Sequence, residues 1–197
     1  MTRLRELMNP WMLKDQTDRM AMDELAGRFW SVLEAWWRGL EDDRGTRAVL
    51  RRAKTPLAVF ITPEFQRGPV ALLTRNGIDL DHQDQERLAL GLGVLAHVAP
   101  PVKDRTEGAP PHFAGLLKPE KGQESTRDPR MRKLLTLEDQ ESEALFLMLR
   151  RLAKYLEGKA PVGAAWRSLL RGACFWDEKT RRGWAMDYYV HREKPGK

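Results

Sequence analysis

Apolar residues return every three or four positions through most of this chain, a spacing that an α-helix gathers onto one face. Between residues 18 and 40 the series is Met22, Leu25, Phe29, Leu33, Trp36 and Leu40, with Thr17 or Asp18 able to cap the start and Gly39 ahead of "EDDRG" ending it. Residues 85–98 set Leu88, Leu92 and Leu95 inward, and the small residues Ala89, Gly91, Gly93 and Ala96 leave room for a neighbouring helix to come close. Over residues 142–157, Leu145, Met148, Leu149, Leu152 and Leu156 share one arc, with Arg150 and Lys154 nearly opposite it and Arg151 on its flank. Two closing helices run through Trp166, Leu169 and Leu170, and through Trp184, Tyr188 and Tyr189. β-branched residues are scarce, and the Asn76-Gly77 pair lacks the alternating flanks of a hairpin. The expected fold class is all-α.

Two regions interrupt this rhythm. Pro56, Pro63, Gly68, Pro69 and Gly77 break residues 56–80 into short helical turns. Residues 99–128 are rich in proline and glycine and read as loop, apart from one packed turn at "HFAGLL". A loop of that length in a compact domain marks function, mobility or a boundary. The expected organisation is an N-terminal helical bundle over 1–98, a loop-rich connector over 99–128 and a C-terminal helical bundle over 129–197.

Signs of catalysis are missing. The histidines His82, His97, His112 and His191 form no H-x-x-x-H pair and have no carboxylate at metal-ligand spacing. His97, on an apolar helix, reads as a packing residue. The single cysteine, Cys174, lies between Ala173 and Phe175 as a small apolar group would, and excludes an internal disulfide. Asp42-Asp43 reads as a solvated helix end. The "GLG" at 91–93 has no following Lys-Ser/Thr and is no phosphate loop. No enzyme activity, metal or cofactor is expected. The apolar runs are too short to cross a bilayer and the first residues too charged for a signal peptide, so a soluble, cytoplasmic protein is expected.

Positive charge is the remaining signal. The formal net charge is +6, most of the cations are arginine, and the guanidinium fork suits phosphate better than an ammonium does. Salt bridging accounts for some clusters: Arg181 and Arg182 follow Asp177-Glu178 by four residues, and Arg3 and Arg5 surround Glu6. It does not account for Arg44, Arg47, Arg51, Arg52 and Lys54, which have no acid among them. Arg47 and Arg51 even share a face at i, i+4, where like charges repel. The stretches with Arg130, Arg132 and Lys133, and with Arg150, Arg151 and Lys154, have the same character. Trp30, Trp36, Trp37, Trp166 and Trp176 fall mainly at core positions rather than as stacking platforms. These ten cations, Arg44 aside, are the candidate nucleic-acid contacts, made to phosphates without sequence readout. An adaptor docking acidic proteins is the alternative. A helix-turn-helix regulator would need base-reading Ser, Thr, Gln or Asn, which "RGTRAVLRRA" lacks apart from Thr46.

Three stretches in order, "FWSVLEAWWRGLEDDRGTRAVLRRA", "MRKLLTLEDQESEALFLMLRRLAKYL" and "WRSLLRGACFWDEKTRRGWAMDYY", resemble the CasB family, the small subunit of the type I-E CRISPR Cascade complex. They cover roughly half the chain. The resemblance implies an all-helical, non-catalytic protein that assembles as two copies. Its implied partners are the guide RNA, the target and displaced DNA strands, the large subunit and the repeated backbone subunits. Its implied role is to stabilise the R-loop in antiviral defence. It also implies that Arg52 and Arg151 match basic residues of the family's nucleic-acid face, with Arg47, Arg51, Arg150 and Lys154 as neighbours. The chain departs from the family where Arg132 replaces a phenylalanine beside the apolar "LL", and neither residues 1–14 nor the proline-rich loop has a counterpart.

Overall fold

The computed structural model of the chain describes residues 3–100, 112–118, 127–157 and 161–189, and most of the proline-rich 99–128 segment falls outside them. Every regular element among the described residues is helical. The helices are α1 (Leu4–Met8), α2 (Gln16–Gly39), α3 (Arg44–Arg52), α4 (Pro56–Phe60), α5 (Pro63–Phe65), α6 (Ala71–Arg75), α7 (His82–Leu95), α8 (Phe113–Leu116), α9 (Arg127–Thr136), α10 (Ser142–Leu156), α11 (Trp166–Cys174) and α12 (Glu178–Tyr189). Short 3₁₀ turns precede α2 and α11, and a π-helical turn (Gln66–Val70) joins α5 to α6.

Local chemistry sets the helix starts. Asp15 accepts hydrogen bonds from the Thr17 and Asp18 amides, so α2 begins ahead of both residues expected to cap it. Asp43 accepts from the Thr46 amide at 2.9 Å and starts α3, and those bonds hold its carboxyl below the usual carboxylate range. Thr55, Thr62 and Asp81 do the same for α4, α5 and α7. Each proline of the 56–63 region stands at a first helical position, where its missing N–H costs nothing. Gly77, with φ of 76°, takes the left-handed conformation that closes α6.

Helix α7 is the central element. It is buried on nearly all sides and packs on α4, α10 and α11. The expected close approach occurs: a Cβ on Gly91 would fall 2.3 Å from Leu170 Cδ1 of α11, and one on Gly93 between Val59 of α4 and Phe146 of α10. The buried residues on both sides of the 99–128 segment join one apolar cluster. Tryptophans bind it together. Trp166 packs on Trp30 and Trp37 at 5.3 and 5.5 Å, and the Trp37 indole N–H donates to the Val98 carbonyl at 3.1 Å.

Some details differ from the sequence expectation. On α2 the buried row is Ala26, Phe29, Trp30, Leu33 and Trp37, while Met22, Leu25 and Trp36 are only partly covered. The core meets α2 about one residue further round because Trp30 and Trp37 must reach Trp166. Helix α7 is displaced towards the N-terminus by its Asp81 cap, and Ala96 to Val98 close it in a tight turn. Arg181 turns to Asp139 and the Leu137 carbonyl, leaving Asp177 to Arg5 at 2.7 Å; Arg182 pairs with Glu178 as expected. Residues 3–14, which had no family counterpart, are built in: Leu4, Leu7 and Met8 are fully buried, and the Leu4 amide donates to buried Asp84 at 2.8 Å.

Candidate nucleic-acid interface

The arginine stretch forms α3 with Leu50 as its one buried side chain. One residue turns a helix by ~100°, so Arg47 stands at the edge of the buried side, Arg51 beyond it, and Arg52 away from the core. Arg47 is half-buried, and its Nε donates to the Ala96 carbonyl at 3.2 Å, tying α3 to the end of α7.

On α10 the inward arc is as expected, with Leu145, Met148, Leu149, Leu152 and Leu156 all buried. The arginines exchange places. Arg150 is the flanking residue: its guanidinium lies over Phe146 and donates to the Ala53 carbonyl at 2.5 Å and the Arg51 carbonyl at 2.8 Å. These carbonyls lie at the C-terminal end of α3, where a helix has acceptors without intrahelical donors and a partial negative charge. Burial and then the nearby charge of Arg51 push the Arg150 pKa below its ordinary value. Arg151 and Lys154 face solvent, with the half-exposed apolar Leu147 on the same side. Tyr155 marks the other flank, and the Arg130 guanidinium of α9 stacks over its ring at 4.2 Å.

The α10 face therefore lies between α3 and α9, and cations occur on all three. Arg47, Arg51, Arg150 and Lys154 are close enough together that all four act on His97. By helical rotation Lys133 follows Arg130 on the same side of α9, whereas Arg132 lies on the other flank. Arg52, Lys54, Arg132, Lys133 and Arg151 are exposed. Several arginines elsewhere find acids: Arg28 with Glu24, Arg38 and Arg167 with Glu34, Arg87 with Asp84. Among the described residues, no carboxylate lies within 4.0 Å of any of the ten cations singled out from the sequence.

His97 was read from the sequence as packing. It is part-buried just past the end of α7, with no hydrogen-bond partner for Nε2 among the described residues. Burial first, then the charges of Arg150, Arg51, Arg47 and Lys154, lower its pKa to about 4. No pattern within its own helix announces this, because the cations come from two other elements. The unfolded chain takes up this proton near pH 6.5, the folded chain only near pH 4, so acidification across that window draws the chain toward unfolding. Thermal melts between pH 7 and 4.5 should show His97→Gln losing less stability on acidification than the parent.

Arg150 serves the fold as much as the surface. Arg150→Met, which keeps the stem over Phe146 but leaves two carbonyls without this donor, should cost about 1.5 kcal/mol in urea unfolding.

No cluster of three or more His, Cys, Asp or Glu residues could hold a metal among the described residues, and His191 lies outside them. Cys174 is buried and donates to the Arg87 carbonyl at 3.3 Å; burial pushes its thiol pKa far up, as a packing role requires. No helix of the described residues is long and apolar enough to cross a membrane.

The class so defined is a small all-helical protein whose distinguishing surface is a run of cations without acidic partners among the described residues. Over residues 46–189 the chain matches the family of CRISPR-associated protein Cse2, and it belongs to that family. Family membership makes it a small subunit of a CRISPR Cascade complex, associated with other Cascade subunits and CRISPR RNA. No curated protein and no solved structure matches it. The match begins two residues into α3, so α1 and α2 precede it.

Proposed function

We propose that the cationic face spanning α3, α10 and α9 lies along sugar-phosphate backbone in a type I-E Cascade complex and stabilises the R-loop without catalysis. The strands it meets are the target and the displaced DNA beside the guide RNA. Its protein neighbours are the large subunit, the repeated backbone subunits and a second copy of itself. The observation that carries this reading is the coupling of α3 to α10 through Arg150, with no carboxylate of the described residues within 4.0 Å of the surrounding cations. Arginines with no carboxylate partner among the described residues keep their charge available to an external anion. Replacing one duplex by another is nearly balanced in free energy, so modest backbone contacts can tip it, and the guide supplies the sequence.

Salt dependence tests this directly. Each phosphate neutralised on a single strand contributes about −0.7 to the slope of log affinity against log salt. Three to five contacts should give the isolated protein a slope of about −2 to −3.5 for a labelled single-stranded oligonucleotide, whatever its sequence. An adaptor for acidic proteins would show no salt-sensitive change in anisotropy.

A further inference from the structure

A second cation stands apart from this face. Arg171 of α11 is largely buried, yet it makes no ion pair or hydrogen bond with any described residue. Its guanidinium lies over two indoles, 5.1 Å from the Trp11 ring and 5.1 Å from the Trp30 ring. Burial and then the charge of Arg167 lower its pKa. Arg167, one turn earlier, has Glu34 at 3.6 Å; Arg171 has no such relief. Its Nε is enclosed without an acceptor, and the residue lines a groove of about 330 Å³ between the N-terminal segment, α11 and α12.

The groove has the character of an anion site with a flat apolar wall. Arg5 and Lys179 line it beside Arg171. Its one carboxylate with acidic charge to offer, Asp177, is already engaged by Arg5 at 2.7 Å and by the Thr180 amide at 2.8 Å. Among the described residues, Arg171 and Lys179 are thus left without a carboxylate partner. Trp11 lies on the rim with 57% of its surface exposed, although neighbouring Pro10 is buried and α1 is anchored in the core. A largely exposed indole held by a cation–π contact can serve as a stacking platform.

We propose that this groove binds one nucleotide of a single strand, its phosphate on Arg171 and Lys179 and its base on Trp11. An acidic peptide could use the guanidinium but would leave the indole uncovered, so the nucleotide fits more of the site. The groove shares no residue with the α3–α10–α9 face, and Trp11 lies ahead of the residues matched to the Cse2 family.

The test uses the full chain carrying Arg51→Glu, Arg52→Glu and Arg151→Glu, so that the cationic face contributes little, with a short oligothymidylate as probe. Residual, salt-sensitive binding is expected. Trp11→Ala should weaken it about tenfold, as loss of one stacked base does. Arg171→Gln should weaken it similarly and reduce the salt slope by about 0.7. Trp11 is exposed, so its substitution keeps the test independent of any folding defect at Arg171. Several outcomes overturn the proposal: no residual binding, residual binding indifferent to Trp11→Ala, inorganic phosphate bound as tightly as the oligonucleotide, or displacement by hexaglutamate with Trp11→Ala silent. The last would assign the groove to a carboxylate-bearing partner. Failure of the cationic face shows separately, as wild-type affinity that the three glutamates leave unchanged.

Discussion

Replacing Arg52 and Arg151 together by glutamate should weaken the affinity of the assembled complex for target DNA roughly a hundredfold at low salt, while the subunit still folds. Both side chains are exposed, and neither makes a hydrogen bond or ion pair with a described residue, so their removal leaves no buried acceptor behind. The structural cost should stay below ~1 kcal/mol, most of it from putting a negative charge in the last turn of α3. Losing two phosphate contacts should also flatten the salt slope by about 1.4. The contrast with Arg150 is what makes the experiment decisive. Arg150→Met removes a cation from the same region but acts through the carbonyls of Ala53 and Arg51, so it should lower stability before it lowers affinity. Unchanged affinity in the double variant, with its melt unaltered, would remove Arg52 and Arg151 from the interface.

Much of this arrangement was legible before any coordinates. The inward row of α10 follows from Leu145, Met148, Leu149, Leu152 and Leu156 alone, because helical period and burial are one statement there. The glycines of α7 announced a close neighbour, though not that α11 fills the space beside Gly91 while α4 and α10 meet at Gly93. What escaped was whatever depends on two elements at once. Arg150 and Arg151 are adjacent in sequence and alike in chemistry, yet one caps α3 and the other faces solvent. The difference is decided by where α3 ends. The same holds for His97, whose field comes from α3 and α10, and for Asp177, which pairs with Arg5 from the other end of the chain rather than with Arg181 four residues on. Trp11 and Arg171 carried no sequence signal, because only folding places residue 11 over α11.

A single methyl group should test how rigidly the last two helices are joined. Gly172→Ala would set a Cβ 2.3 Å from Cζ2, 2.8 Å from Cε2 and 3.1 Å from Nε1 of Trp184. An aliphatic side chain could swing aside, but this indole is buried and fixed on several sides, by Trp176 at 5.0 Å, Phe113 at 5.5 Å and His112 at 5.7 Å. Helix α12 itself would have to withdraw from α11, opening the contacts it makes with α8. Alanine improves intrinsic helix propensity over glycine by about 1 kcal/mol, and overpacking a rigid site costs about 3 or more. The net expectation is a loss of about 2 kcal/mol, seen as a melting temperature lower by about 4–8 °C. Gly27→Ala is the control, since nothing lies within 4 Å of a Cβ there and only the propensity gain remains. If Gly172→Ala were as harmless as Gly27→Ala, the α11–α12 contact would be looser than the aromatic cluster around Trp184 requires, and the Arg171 groove between those helices would lose its fixed wall.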